Sequence, residues 1–249
     1  MRGITVACLV ASCGRIGFDA REGGVCPITQ AAPESLAVTG ETFTYANFQN
    51  GTTPLGDVPI TARDGSGAVL ATTTSDASGD YTLAVGTHGV PLDIELDYAP
   101  GCCLETHVFD DQAIDRDVAG LDMGNWQLGD GAIWGDGQME SVYGAAGATR
   151  LPTTGTLSVV VHDCDEQPID GVAVALDPPP GTLAFSGANG FVAGATTTQP
   201  PFDLAVALNA LAGTNHVSAT KTGYAFGSAA IAVQAGEHST VLLLHGALH

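Results

Sequence analysis

Residues 53–85 constrain the fold most, because strand patterns and reverse turns alternate within them. Every second residue from 58 to 62 is apolar, and this period of two is typical of a strand with one buried face. The turn at 64–67 tolerates positive φ, which allows the chain to reverse into a Thr-rich second strand. A second turn at 75–80 leads into a third alternating segment, 81–85. The stretch therefore predicts three short antiparallel strands.

A looser copy of this pattern returns later in the chain. Residues 168–172 (PIDGV) match residues 54–58 (PLGDV) at an offset of one domain length, which indicates a duplicated fold rather than a solenoid. A length of 249 residues suits two domains of about 100 residues each with linkers. We predict two tandem β-sandwiches, at 35–122 and 156–245.

An acidic, Gly-rich connector at 123–155 is predicted to join the two sandwiches. Within it, four apolar residues recur at helical spacing after Asp136, which we take as the N-cap. They are Met139, Val142, Tyr143 and Ala146. The predicted fold class is therefore all-β, with one short connecting helix.

The first half carries a pattern with a family resemblance. Pro54 and Leu55 precede Asp57-Val58-x-Ile60, and Asp76-x-x-Gly79-x-Tyr81 follows the Thr-rich strand. This pattern resembles the carboxypeptidase regulatory-like domain, which implies a transthyretin-like or immunoglobulin-like sandwich of about seven strands. The resemblance is to the accessory domain of the zinc carboxypeptidases alone, so it implies no peptidase activity.

The N-terminal residues predict where in the cell the protein is located. A basic start and a short apolar run end in Val10-Ala11-Ser12-Cys13-Gly14, which resembles a bacterial lipobox. The resemblance implies that residues 1–12 are a signal peptide, that Cys13 carries the lipid, and that residues 13–34 are a tether. We therefore expect a protein of the bacterial cell envelope, at the outer membrane, which contacts the membrane through its lipid anchor only.

The charge balance excludes one class of partner. The chain has 27 acidic residues against 7 Lys and Arg, a formal net charge of −20. Nucleic-acid binding is not expected, because almost nothing here neutralises phosphates. Acidity of this kind favours solubility and repulsion from anionic surfaces.

Six cysteines are present, and four remain after Cys8 leaves with the signal peptide and Cys13 takes the lipid. An even number in an oxidising compartment predicts structural disulfides. The sequence leaves three pairings open, although neighbouring cysteines rarely bond each other because the ring they close is strained. The four candidates are Cys26, Cys102, Cys103 and Cys164.

Several residues have the chemistry of metal ligands. His107 precedes Asp110, and His162 precedes Asp165, at a spacing that suits zinc, but we interpret both histidines as exposed strand-end residues. The acidic residues lack EF-hand spacing, and we interpret them as a solvated loop. They are Asp110, Asp111, Asp115, Asp117, Asp122, Asp130 and Asp136. We therefore predict no catalytic residue, no metal and no cofactor.

The function predicted from these features is that of a non-catalytic spacer or binding module with a protein or polysaccharide surface partner. Ligand contacts are expected on the loops at 64–67, 75–80 and 122–137. One alternative is a subunit of a larger surface assembly, which an exposed edge strand or an aromatic patch near Trp126 and Trp134 would favour. Another is a metal-dependent enzyme or binding protein, which needs three His or acidic side chains converging on one point.

Overall fold

A computed structural model of the chain describes residues 25–28, 30–45, 52–119, 131–187, 190–192, 194–200, 203–236 and 238–248. The described part of the first half holds strands β1 (Ser35–Tyr45), β2 (Thr52–Pro54), β3 (Pro59–Asp64), β4 (Val69–Thr74), β5 (Asp80–Gly86), β6 (Ile94–Tyr98), β7 (Glu105–Asp110), β8 (Val118–Ala119) and β9 (Gly131–Ile133). Helix α1 (Asp136–Ala145) follows. The second half holds β10 (Thr154–Asp163), β11 (Ala173–Asp177), β12 (Thr182–Gly187), β13 (Gly190–Phe191), β14 (Leu204–Leu211), β15 (Gly213–Thr220), β16 (Tyr224–Phe226), β17 (Ser228–Val233) and β18 (His238–Leu248).

The two halves repeat one strand topology. β1 pairs antiparallel with β5 and parallel with β8, and β10 pairs in the same two ways with β14 and β18. The order β3-β6-β7 in the first half recurs as β11-β15-β17 in the second. The predicted all-β fold, with sheets packed as sandwiches and one helix among the described residues, is confirmed.

The two sandwiches share one sheet, which the sequence pattern does not predict. β18 pairs in parallel with β10 on one side and with β7 on the other. The result is a ten-stranded sheet in the order β13-β12-β14-β10-β18-β7-β6-β3-β4, with β16 also beside β18. This pairing covers the sheet edges that β7 and β18 would otherwise expose.

Strands at the centre of this sheet are buried on both faces. In β18, Val241 and Leu243 pack into the first hydrophobic core, while Leu242 and Leu244 pack into the second. All four side chains are at most 1% exposed. Such a strand reads as a continuous apolar run, because both of its faces lie against other layers.

The strands predicted for residues 53–85 are confirmed as β3, β4 and β5. Their predicted inward-facing residues are buried at 5% exposure or less. These are Val58, Ile60, Ala62, Tyr81, Leu83 and Val85. Among the residues that the structure describes, no helix has the length and apolarity to cross a membrane.

The predicted connector is partly built into the first sandwich. β9 pairs in parallel with β1, and Trp134 directly after it is only 6% exposed. The apolar run 132–134 is buried because it covers the edge of β1, so Trp134 forms no surface patch; Trp126 lies outside the described residues. The N-cap of α1 is Gly135, whose N–H donates to the side chain of Gln138, and not Asp136.

Candidate functional site

Three parallel strands bring the candidate site together. β7, β18 and β10 are neighbours that run in the same direction, so their carboxyl ends meet at one edge of the sheet. His162 and His245 lie opposite each other in register, and Asp110 pairs with Leu243. The turn after β10 adds Glu166. We define the strand-end cluster as Asp110, Asp111, His162, Glu166 and His245.

Two imidazoles of the strand-end cluster face one carboxylate. Nε2 of His245 lies 3.2 Å from Oε2 of Glu166, and Nδ1 of His162 lies 3.6 Å from the same oxygen. His162 is 1% exposed, and its Nδ1 has no hydrogen-bond partner. One ligand atom from each of the three residues lies within 4.8 Å of the others. Three side chains with metal-ligand chemistry therefore converge on one point.

Asp111 orients the ring of His245. Its Oδ1 lies 2.6 Å from Nδ1 of that ring, and both of its oxygens accept the backbone N–H of His245, at 3.1 and 3.2 Å. Asp111 is 0% exposed. Because Nδ1–H donates to Asp111, the other ring nitrogen, Nε2, is directed at Glu166.

The buried carboxylates of the strand-end cluster favour the protonated form of His245. Burial raises the pKa of Asp110 to about 7, although His245 opposes this shift, and burial also raises the pKa of Asp111. Burial would lower the pKa of His245, but Asp110, Asp111 and Glu166 outweigh it and hold that pKa well above its ordinary value. Burial would raise the pKa of Glu166, but the two imidazoles lower it well below its ordinary value.

The turn that carries Glu166 is fixed by its own aspartate. Oδ1 of Asp163 accepts the backbone N–H groups of Asp165 at 2.8 Å and Gln167 at 2.9 Å. Glu166 has a φ of 60°, a left-handed conformation that costs a non-glycine residue free energy. Glycine would relax the turn, so the chain keeps a carboxylate here at a conformational cost.

The same type of turn, in which an aspartate accepts backbone N–H groups, closes two loops that were expected to bind ligands. Oδ1 of Asp64 accepts the N–H groups of Ser66 and Ala68, and Oδ1 of Asp76 accepts those of Ser78 and Asp80. These aspartates stabilise their own turns. The third expected loop, 122–137, lies largely outside the described residues.

A cavity of about 360 Å³ opens beside the strand-end cluster. Its walls include Asp110, Glu166, His245, Arg116 and the disulfide between Cys26 and Cys164. The cavity is therefore lined by both halves of the chain, at the edge where the three parallel strands end.

A second buried histidine lies on the same ten-stranded sheet. Nδ1 of His107 lies 2.6 Å from Oδ1 of Asp97 and 3.4 Å from Glu95, and its Nε2 lies 3.1 Å from the side-chain amide of Gln234. Arg63 binds the other oxygen of Asp97 at 2.6 Å. Both ring nitrogens thus have partners, so this cluster serves as a polar link between the two halves.

The structure corrects the interpretation of the two histidines. His107 and His162 are 2% and 1% exposed, so they are not exposed strand-end residues. His107 contacts Asp97 and Glu95 rather than Asp110, and His162 faces Glu166 rather than Asp165. The reason is that distant parts of the chain pack against both rings. Gln234 contacts His107, and the ring of His245 in β18 lies beside that of His162.

The solvated-loop interpretation of the acidic run is also wrong for most of its described members. Asp111 and Asp115 are 0% and 8% exposed, and the side chain of Asp110 is 11% exposed. Asp117 is exposed and accepts the N–H of Ala37. Asp122 and Asp130 fall in the part of the chain that is not described, as does the side chain of Asp136.

Glu166, His245 and Asp97 belong to these clusters, although the sequence patterns did not predict them there. His245 interrupts the apolar run of β18, and a polar residue inside such a run is a signal of a buried polar contact. Asp97 alternates with Ile94, Leu96 and Tyr98 as a solvent-facing residue would, yet it is 4% exposed because His107 and Arg63 cover it.

The described cysteines form two pairs. Cys26 bonds Cys164, with their Cα atoms 5.4 Å apart, and Cys102 bonds its neighbour Cys103. The second pair differs from the expectation that adjacent cysteines stay apart; they lie together in the tight turn between β6 and β7. Cys13 falls outside the residues that the structure describes.

We expect the His107 cluster to make the free energy of unfolding fall as the pH becomes alkaline. Burial would lower the pKa of His107, but Asp97 and Glu95 raise it from 6.5 to about 9. Because the folded pKa is the higher one, this stabilisation is complete below pH 6.5 and is lost as pH rises through about 9. Its full size is about 3 kcal/mol. Urea denaturation at a series of pH values measures the loss.

The matched variant for this test is His107→Gln. Its free energy of unfolding should change less than that of the wild type over this pH interval, because Gln does not titrate. Two parallel profiles, offset by a constant, would contradict the assignment to His107.

Comparisons with known proteins give neither a family nor a function. No protein-family model matches the chain, and no curated protein matches it. Among solved structures, the shaft pilin SpaA from Lactobacillus rhamnosus GG matches over 86% of this chain and 98% of its own, with 13% identity and a TM-score of 0.27. The Bacillus anthracis TIE protein matches over 85% and 34%, with 9% identity and a TM-score of 0.27.

A streptococcal ancillary pilin matches over 85% of this chain and 62% of its own, with 11% identity and a TM-score of 0.25. Structural similarities this distant do not indicate what the chain does. The resemblance to the carboxypeptidase regulatory-like domain therefore stays a prediction.

Proposed function

We propose that the chain is a lipid-anchored protein of the bacterial cell envelope, in which the joined sandwiches act as a non-catalytic rigid spacer. The lipid is attached at Cys13, and the tether at 13–34 that follows it is bonded to the fold through Cys26. The sandwiches hold a protein or polysaccharide partner away from the membrane. The partner contacts come from end loops.

The observation that carries this proposal is the disulfide between Cys26 and Cys164. It fixes the segment after the proposed lipid site to the turn that follows β10. Disulfides persist in oxidising compartments outside the cytoplasm, which supports the envelope location. A mechanical force at the anchor would pass through this disulfide to the shared sheet, and it would not first detach the N-terminal segment from the fold.

The strand directions support a spacer with the anchor at one end and the partner-binding loops at the other. The turn at 64–67 follows β3, which runs parallel to β7, so it lies at the same end as Asp110 and the disulfide. The turn at 75–80 follows β4 and lies at the opposite end, with the loop at 99–104. Since the anchor attaches at the Cys26 end, the turn at 75–80 and the loop at 99–104 are the proposed partner-facing loops.

Cys13→Ala is expected to release the protein from the membrane fraction of a bacterial host, because the lipid chains provide the membrane affinity. The wild type should partition with membranes and show the mass of a lipidated chain that begins at Cys13. Fractionation and intact-mass measurement check both points.

Cys8→Ala is the matched control, since it removes a neighbouring thiol and should leave lipidation unchanged. An unmodified wild-type chain in the soluble fraction that still begins at Met1 would refute the anchor.

A further inference from the structure

The unpartnered nitrogen of His162 is the observation that points to a ligand. The ring is 1% exposed, and its Nδ1 makes no hydrogen bond while it faces Glu166 at 3.6 Å. Leaving a buried polar atom without a partner carries a desolvation penalty. A proton on Nε2 of His245 would satisfy Glu166, but it would leave His162 unsatisfied. A cation at this point would satisfy all three side chains.

The distances suit a small transition-metal ion. Zinc binds nitrogen and oxygen ligands at about 2.0–2.2 Å, which places neighbouring tetrahedral ligand atoms about 3.3–3.5 Å apart. The two contacts to Oε2 of Glu166 are 3.2 Å from His245 and 3.6 Å from His162. No two ligand atoms of the three residues are more than 4.8 Å apart.

Hydrogen bonds with neighbouring residues hold His245 and Glu166 in the way that is usual for metal ligands. A metal-binding histidine commonly donates its other ring N–H to a carboxylate, which fixes the tautomer and the ring orientation. Asp111 does this for His245, at 2.6 Å from Nδ1. The turn hydrogen bonds of Asp163 hold the backbone that presents Glu166.

The ligand types select the class of ion. Two of the three ligand atoms are imidazole nitrogens, which suit zinc and neighbouring transition metals. Calcium takes six to eight oxygen ligands at about 2.3–2.6 Å, and magnesium also prefers oxygen. The cavity of about 360 Å³ is lined by Glu166 and His245, so water has room to serve as the fourth ligand.

We propose that His162, Glu166 and His245 bind one zinc-class divalent cation through Nδ1, a carboxylate oxygen and Nε2, respectively. The cation joins the ends of β10 and β18 and the turn between β10 and β11. The site is independent of the lipid anchor, so either proposal can fail without the other.

The test is a zinc titration of the full-length chain, purified in detergent and stripped of metal with a chelator. Calorimetry and elemental analysis are expected to show one tight zinc per chain. Cobalt(II) added in place of zinc should give the visible absorption bands of a tetrahedral nitrogen–oxygen site. Calcium in excess should displace neither ion.

Variants separate this site from adventitious binding. His162→Phe and Glu166→Gln should each weaken zinc binding about 100-fold or more, since residues that merely orient a ligand already contribute about 10- to 100-fold. Asp111→Asn should fall in that lower range. His216→Phe, at an exposed strand position, is the control and should bind zinc as the wild type does.

His162→Phe should also fold without metal, because Nδ1 of His162 makes no hydrogen bond that the substitution would break. Circular dichroism of the metal-free proteins checks this, and Glu166→Gln provides a second variant. A wild-type chain without stoichiometric zinc would overturn the proposal. Unchanged affinity in both ligand variants would do the same.

Discussion

Replacing Cys26 and Cys164 together by serine is expected to lower the free energy of unfolding by about 2–5 kcal/mol. The disulfide joins residues 138 positions apart. Its removal frees a long loop in the unfolded chain, and the chain-entropy contribution grows with the length of that loop. It also releases the wall of the cavity beside the strand-end cluster. Urea denaturation of the double variant and the wild type measures the difference.

The other cysteine pair is the matched control for this prediction. Cys102 and Cys103 are neighbours, so their bond closes almost no loop. The double variant Cys102→Ser/Cys103→Ser should therefore unfold within about 0.5 kcal/mol of the wild type. Equal losses in the two double variants would show that the long loop is not the source of the stabilisation.

Asp111→Ala is expected to lower the free energy of unfolding by about 3–5 kcal/mol. The substitution removes the carboxylate that accepts both the ring Nδ1–H and the backbone N–H of His245. His245 is 2% exposed, so its ring and its backbone N–H would be left buried without that acceptor. Chelator in the denaturation buffer keeps metal binding from contributing to the measured value.

Two further variants serve as controls for this prediction. Asp165→Ala removes an exposed acid from the turn next to the cavity, and it should change stability by no more than about 0.5 kcal/mol. Asp111→Asn keeps an acceptor oxygen and should fall between the two alanine variants. A loss from Asp111→Ala no larger than that from Asp165→Ala would mean that the His245 contact adds nothing to stability.

Local physical chemistry accounts for the elements that were predicted correctly. The alternation at Ile60, Ala62 and Leu83 follows from the geometry of a pleated strand, in which successive side chains point to opposite faces. The helix from Asp136 to Ala145 follows from apolar residues at helical spacing. Both patterns depend on near neighbours in the chain.

Local patterns failed where a strand is covered by a distant segment. Asp97 and His107 read as solvent-facing positions, since neither β6 nor β7 carries a signal of what lies against it. β18 arrives from the far end of the chain and pairs with β7 over six residues, and it brings the second sandwich with it. Gln234 then reaches His107.

Local sequence patterns predicted the class of fold, the strand periods, the repeat of one β motif and the helix near 136–145. The shared sheet and the meeting of His162, Glu166 and His245 depend on the tertiary structure. The physical reason is the parallel pairing of β10 and β18, whose paired residues lie more than 80 positions apart. Hydrogen bonds in such a pair are set by backbone geometry and by packing on both faces. Neither leaves a mark in the local sequence that identifies the partner strand.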